Sequence, residues 1–238
     1  MISLSDIANQ VKSKNKYWIV FTGDSITSTE WVHPNWREIV EYVLKEELTK
    51  EMDEWKAPSW GIRTFNFAYD GATTADILER VDLMKLVQPD LSISVMGSND
   101  HRTKIGVPEH IENIKKIVEK LKTNVVWCTS TPANDQNENE KYEPYAKGTM
   151  QIPQNEKLQL IDLFSKYRGF PLEKFFTFKS EEIPLEGIKS GDADVWHPNQ
   201  LGNAYIAKVI LKEVFSIDFD PEKYIQETLA GEKYPGYS

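Results

Sequence analysis

The sequence predicts a single α/β domain whose mostly parallel sheet is covered by helices on both faces. Three observations lead there. Apolar runs of strand length alternate with stretches of helical period along the 238 residues, the order produced when parallel strands are joined by crossover helices. The first run, YWIVF, is apolar throughout, as a strand buried on both faces requires. No internal repeat and no linker interrupts the alternation, so one domain over residues 1–238 is expected, with a tail from about 221.

Residues 17 to 21, YWIVF, form the first strand. Over 35 to 48, Trp36, Ile39, Val40, Val43, Leu44 and Leu48 fall on one helical stripe. TFNFA, at 64 to 68, supplies the second strand, and a helix follows over 74 to 86 until Pro89 closes the connection. LSISVM, at 91 to 96, is the third strand. Residues 108 to 122 form a helix with Pro108 at its start and Ile111, Ile114, Ile117, Val118 and Leu121 toward the core. NVVWCTS gives the fourth strand. Beyond Pro132 the periodicity fails: PANDQNENEKYEPYAKGTMQIPQ is polar and acidic, the signature of a long loop that is functional or disordered. A helix returns over 155 to 168, KFFTF gives a short strand, and the last helix spans 200 to 215. The tail, PEKYIQETLAGEKYPGYS, is aromatic and polar; it docks on the domain or on a partner subunit, or stays loose.

Bulk properties exclude several classes of function. A hydrophobic fraction of 40% and a charged fraction of 27% are those of a soluble globular protein. No run approaches the length of a membrane span, and the N-terminus lacks the charged start, apolar core and cleavage site of a signal peptide. The single cysteine, Cys128, sits in an apolar strand and reads as a buried, inert thiol that forms no intrachain disulfide. Together these favour the cytoplasm. A net charge of −9, with lysines interspersed among glutamates, is the wrong sign for a nucleic-acid partner.

In open parallel sheets, sites form where the loops leave the carboxyl ends of the strands. Those loops read GDSITS, YDGATT, GSNDH and TSTP. Gly23, Gly71 and Gly97 each follow an apolar strand, where glycine permits positive φ or close backbone approach. A nucleophile such as Ser25 needs a base, and the chain has only four histidines, His33, His101, His110 and His197. Asp194 stands three residues before His197 on an irregular segment. A carboxylate so placed accepts the ring Nδ1 hydrogen and turns Nε2 toward a serine. Asp192, five residues before His197, is the other acid within reach.

GDSIT, DGAT, GSND and DVWHP, in that order over residues 23 to 198, resemble the four blocks of the SGNH (GDSL-type) hydrolase family. The first block reads GDSIT rather than GDSL, a variant similar to family members that act on sugar esters. The resemblance implies a flavodoxin-like three-layer α/β/α fold with a five-stranded sheet. It also implies a serine esterase working through an acyl-enzyme, with Ser25 as nucleophile, His197 as base and Asp194 orienting it. The backbone N–H groups of Ser25 and Gly71 and the amide of Asn99 would form the oxyanion hole. No metal and no organic cofactor is required. The partner implied is a small-molecule ester, with homo-oligomers left open.

Other readings compete for the same residues. Ser25 alone would serve as a helix cap, but Thr27, Ser28 and Thr29 supply that cap without it. Asp24 reads as a structural acid bonding loop amides, since the D-x-D-x-T pattern of strand-end phosphatases is replaced by D-S-I-T. G-x-S-x-G, the nucleophile elbow of α/β-hydrolases, is absent. Trp31, His33, His101 and Trp196 are candidates for lining the substrate pocket, while His110 reads as solvent-facing and Trp18 and Trp127 as core. The polar segment from 133 to 154 favours a small, hydrophilic ester over a lipid, and the leading reading is a short acyl group, acetyl first, on a carbohydrate or similar alcohol. A lysophospholipase or acyl-thioesterase on longer chains is the second reading. A non-catalytic binding module with the same fold is the third.

Overall fold

The computed structural model describes residues 2–28, 31–179 and 189–238. The chain opens with helix α1 (Leu4–Lys14), which the sequence reading does not anticipate, and enters strand β1 (Tyr17–Gly23). Helices α2 (Trp36–Met52) and α3 (Lys56–Gly61) lead to β2 (Ile62–Asn66), two residues earlier than expected. Then follow α4 (Thr74–Leu86), β3 (Leu91–Val95), the short α5 (Ser98–Arg102), α6 (Val107–Leu121) and β4 (Asn124–Cys128). The last part contains α7 (Gln136–Met150), β5 (Leu158–Ile161), α8 (Leu163–Tyr167), α9 (Gln200–Phe215) and α10 (Pro221–Leu229).

The five strands are all parallel, in the order β2-β1-β3-β4-β5. Residues alternate between the two sheet faces: Ile19, Phe21 and Ile93 meet α1, α2 and α9, while Val20, Val125 and Trp127 meet α4 and α6. The stripe of α2 is fully buried, from Trp36 through Leu48, each large side chain contributing about 1.5–3 kcal/mol relative to exposure. Its start is fixed by Asn35, whose side-chain oxygen accepts from the Arg37 N–H at 3.2 Å while its own backbone N–H donates to the Glu38 carboxylate at 2.8 Å. Asn35, not the hydroxyls after Ser25, caps this helix. Thr27 donates instead to the Val95 carbonyl at 3.3 Å and Ser28 to Asp70 at 2.6 Å; Thr29 lies outside the described residues.

Strands β1 and β3 end in register, Gly23 opposite Val95. A Cβ on Gly23 would lie 2.4 Å from the Val95 carbonyl oxygen, and its φ is +153°, so glycine is required for this close approach. From β1 the chain goes to one side for β2 and returns to the other for β3. That reversal leaves a crevice beyond the carboxyl ends of β1 and β3, where open α/β sheets bind ligands.

Three expectations fail. The segment expected as a loop from 133 to 154 contains α7, with Pro144 inside it. Its buried face is Asn139, Tyr142, Tyr145, Ala146, Gly148 and Thr149, which lacks the aliphatic period that reveals a helix. The helix expected over 155 to 168 divides into β5 and α8, because LQLI joins β4 as an edge strand. KFFTF forms no strand; Phe175 and Phe176 are buried after a 3-10 turn, and only Lys179 makes an isolated bridge, to Ala193. The tail docks on α2: the Tyr237 hydroxyl donates to Glu47 at 2.8 Å and accepts from Lys50 at 2.8 Å. Cys128 is fully buried, and burial pushes its thiol well above the ordinary range. Trp127 is core as expected, whereas Trp18 is half-exposed under Lys16 and against Phe65.

Candidate active site

The turn that leaves β1 is built by Asp24. Its carbonyl accepts from the N–H groups of Thr27 and Ser28 at 2.9 and 3.0 Å, and its carboxylate accepts from the Ile26 N–H at 3.0 Å. Ser25 is thereby raised at the tip, half-buried, with its Oγ 2.9 Å from His197 Nε2. On the other side of the ring, Nδ1 lies 2.6 Å from Asp194 Oδ2. A carboxylate only accepts, so Nδ1 carries the hydrogen and Nε2 is left to accept from the Ser25 hydroxyl.

Asp194 also folds its own segment. Its Oδ1 accepts from the backbone N–H of Trp196 at 2.8 Å and of His197 at 3.1 Å. Burial pushes the Asp194 carboxyl up, but the His197 hydrogen bond and charge and these two backbone donors outweigh it, and the group is held below its ordinary value. Asp192 is exposed and closes a separate turn with Lys189. Immediately after His197, Asn199 caps α9 by accepting from Gly202 at 3.0 Å. Asn203 of α9 in turn accepts from the Trp36 N–H at 3.1 Å, which ties the segment that carries His197 to α2.

Gly71 and Asn99 stand at the ends of β2 and β3 on the same cleft as Ser25 and His197, a cavity of about 230 Å³. Gly71 has φ +73°, which a side chain would resist. Asn99 lies in the first turn of α5 and donates to the Ala72 carbonyl at 3.2 Å, so the two loops touch. Asp100 fixes them from beneath, accepting from the Thr74 N–H at 2.8 Å and the Thr74 hydroxyl at 2.5 Å. Fully buried Asp100 is itself paired with His110 Nδ1 at 2.7 Å, and His110 Nε2 meets the Thr149 hydroxyl at 2.8 Å.

Trp31 and Trp196 line the cleft. His33 does not: its side chain is 82% exposed, beside Glu38 at the start of α2. His101 does not either, because its ring turns edge-on to Tyr145 of α7. His110 is the opposite of solvent-facing, since a polar partner on each nitrogen allows its full burial.

Sequence reasoning missed Asp70, Arg102, Glu138 and Tyr142. Asp70 accepts from Ser28 and from the Trp31 indole N–H, each at 2.6 Å. Arg102 stands one turn after Asn99, its guanidinium 4.0 Å above the Trp196 ring. Glu138 gathers Tyr142 at 2.8 Å, the Trp196 indole at 3.2 Å and Arg102 at 3.5 Å. Burial opposes its charge, yet Lys141, Tyr142 and Trp196 hold its carboxyl down to about 2. The only sequence signals were the position of Asp70 beside Gly71 and the i, i+3 spacing of Asn99 and Arg102.

Asp24 is the one strongly perturbed acid of the turn. Burial raises its carboxyl to about 7, with the neighbouring Asp100 adding to the rise and Ile26 and His197 opposing it. Among the described residues its second oxygen, Oδ2, meets no hydrogen-bond partner. Among the described residues no group of acids, histidines and cysteines is arranged to hold a metal ion, and no helix is long and apolar enough to cross a membrane.

The GDSL-like lipase/acylhydrolase family model matches residues 21–205. Among solved structures, a catalytic mutant of the acetylxylan esterase Axe2 from Geobacillus stearothermophilus superimposes with a TM-score of 0.61 at 18% identity, over 84% of this chain and 94% of that one. TesA gives 0.55 at 18% identity, over 81% and 95% of the two chains. A lipase from a goat rumen metagenome gives 0.56 at 14% identity, over 92% and 99%. At these identities the likeness is one of fold. No curated protein sequence matches the chain.

Proposed function

Since the chain belongs to the GDSL-like lipase/acylhydrolase family and is a carboxylic ester hydrolase, we propose that it removes short acyl groups, acetyl first, from carbohydrates or similar polar alcohols. The observation that carries this reading is the unbroken relay from Asp194 through His197 to Ser25, ending in a cleft of only about 230 Å³. Ser25 Oγ attacks the ester carbonyl carbon as its proton passes to His197 Nε2. The carbonyl π pair moves to oxygen, where the N–H groups of Ser25 and Gly71 and the Asn99 amide stabilise the charge. Such donors act most strongly when fixed before the reaction begins, and the Asp100 network supplies that rigidity. Collapse of the intermediate expels the alcohol, which takes the proton back from His197. Water then repeats the sequence on the acyl-Ser25 and releases the acid.

The Asp194 carboxylate stabilises the imidazolium formed in each half-reaction, and its depressed protonation keeps it charged through neutral pH. The small cleft and the polar groups on its rim, Asp70, Asn99 and Arg102 among them, favour a short acyl chain on a hydroxylated alcohol. The indole of Trp196, covered on one side by Arg102, offers a flat edge against which a sugar ring can lie.

Two measurements test the reading. Hydrolysis of p-nitrophenyl acetate is expected to exceed that of the octanoate ester; the reverse preference would transfer the assignment to a long-chain acylhydrolase. A fluorophosphonate probe is expected to label Ser25, and folded protein without that adduct would make the chain a binding module.

A further inference from the structure

The indole of Trp31 lies flat against the imidazole of His197, ring centroids 3.8 Å apart and planes within 4° of parallel. Its Nε1–H donates to Asp70 Oδ2 at 2.6 Å, and Asp70 Oδ1 accepts from Ser28 Oγ at 2.6 Å. Ser28 belongs to the turn that carries Ser25. The contacts therefore close a circuit: Ser25, His197, Trp31, Asp70 and Ser28 each touch the next. No bond-making or proton-transfer step of the ester hydrolysis above uses Trp31 or Asp70.

The geometry decides what the stack is for. Two neutral π-systems prefer an offset or edge-on arrangement to a near-eclipsed sandwich. A cation over an indole face is attracted instead, and indole is the best of the aromatic partners. The pair is thus least favourable while His197 is neutral and most favourable once it has taken the Ser25 proton. Interactions that strengthen only as the transition state forms are the ones that raise the rate. The carboxylate on the indole N–H adds to this, because it pushes electron density into the ring.

We propose that Trp31, held and polarised by Asp70, is a positioning residue that stabilises the His197 imidazolium from above its plane, alongside Asp194 in the plane. The proposal rests on His197 being the base of the reaction. Asp70 directly precedes Gly71, so the same clamp links the ring's position to the loop that bears an oxyanion donor. Among the described residues the other charged groups around His197 are Asp194 on its own segment, buried Asp24 beneath the β1 turn and, beyond Trp196, Arg102 with Glu138. None of these residues is itself altered by a substitution at Trp31 or Asp70.

The rival role is simple shielding, and the two roles differ in sign. If the indole only kept water off the ring, its removal would hydrate the imidazolium and make His197 easier to protonate. If it stabilises the cation, its removal makes His197 harder to protonate. The experiment follows the His197 Cε1–H resonance by NMR against pH in the full chain without substrate, for wild type, Trp31→Leu, Trp31→Phe and Asp70→Asn. The expected result is a titration midpoint lower by about one pH unit in Trp31→Leu, equivalent to a tenfold loss. A smaller fall is expected in Trp31→Phe and in Asp70→Asn. On p-nitrophenyl acetate, Trp31→Leu is expected to lose about tenfold in kcat with KM within about twofold, and Trp31→Phe to recover most of it. A midpoint in Trp31→Leu equal to or above that of wild type would overturn the proposal. A wild-type chain that hydrolyses no ester would defeat the proposed function instead, and the titration would still judge the stack.

Discussion

The molecule holds two relays of the same chemical composition, an acid, a histidine and a hydroxyl, with nearly the same dimensions. Asp194, His197 and Ser25 are linked at 2.6 and 2.9 Å. Asp100, His110 and Thr149 are linked at 2.7 and 2.8 Å. The first ends in a cleft shared with Gly71 and Asn99. The second is sealed: His110 is fully buried, with the Tyr145 ring edge-on at 5.4 Å and Gly97 so close that an added Cβ would sit 3.3 Å from its Cε1. Hydrogen-bond distances therefore do not make a catalytic centre. An approach for the substrate and donors for the developing charge do. Without them the same groups become a clamp, here joining α5 through Asp100, α4 through Thr74, α6 through His110 and α7 through Thr149.

The sharpest way to break this comparison is to remove the hydroxyl from each relay. Ser25→Ala is expected to lower ester turnover by on the order of 10⁴-fold or more, with an unchanged unfolding midpoint, since Ser25 packs little surface. Thr149→Val should do the reverse, leaving the rate of the folded enzyme intact while costing about 1–3 kcal/mol of stability through an unpaired His110 nitrogen. Turnover assays and thermal melts on both variants read the difference. Comparable losses of rate in the two would end the distinction.

Donors for the charge are the next element. Asn99→Ala is expected to reduce kcat on p-nitrophenyl acetate by about 100- to 1,000-fold with little change in KM, the usual effect of deleting one oxyanion-hole donor. His110→Ala acts through Asp100, which it touches, and mainly on the fold. It leaves Asp100 buried with one fewer partner, which costs about 3 kcal/mol and lowers the melting midpoint by roughly 6–12 °C for a chain of this size. A loss of kcat in His110→Ala matching that of Asn99→Ala would mean the buried relay takes part in the chemistry.

The two relays also differ in how far the sequence disclosed them. Asp194 and His197 are three residues apart on one segment, so their pairing is legible from spacing alone. His110 sits on a helix whose isoleucines define the buried face, and as a polar residue of that helix it reads as solvent-facing. What buries it is Thr149, on a helix the sequence hides. That helix presents tyrosines, small residues and Pro144 where a stripe of leucines would be recognised. The consequences spread into the site, because Glu138 and Tyr142 come from the same helix and support Trp196 and Arg102. By contrast α4 and α9 match their expected bounds residue for residue, since aliphatic periodicity and clear caps mark both. Strand-end loops were legible for a similar reason: glycine directly after an apolar run is a local signal. Contacts between distant segments, such as Trp31 on His197, leave no such mark.

Asp24 feels both relays, and its titration, which touches stability and not rate, gives the most specific test. His197 favours its charged form and Asp100 disfavours it, but burial dominates and raises the carboxyl to about 7 from an ordinary 3.8. Between those values the folded protein keeps a proton that the unfolded chain has lost, so stability falls as pH rises through that window. Asp194 has the opposite sign: it is held below its ordinary value, and its contribution is present at neutral pH and lost on acidification. Asp24→Asn removes only the first effect, because the amide oxygen still accepts from the Ile26 N–H. The melting midpoint of Asp24→Asn relative to wild type should therefore climb by roughly 7–14 °C from pH 4 to pH 7.5. Any constant cost of burying the amide shifts both ends equally and does not affect this slope. A flat difference across the range would show that Asp24 stays charged in the fold, sustained by His197 rather than neutralised by burial, and would tie it to the open relay alone.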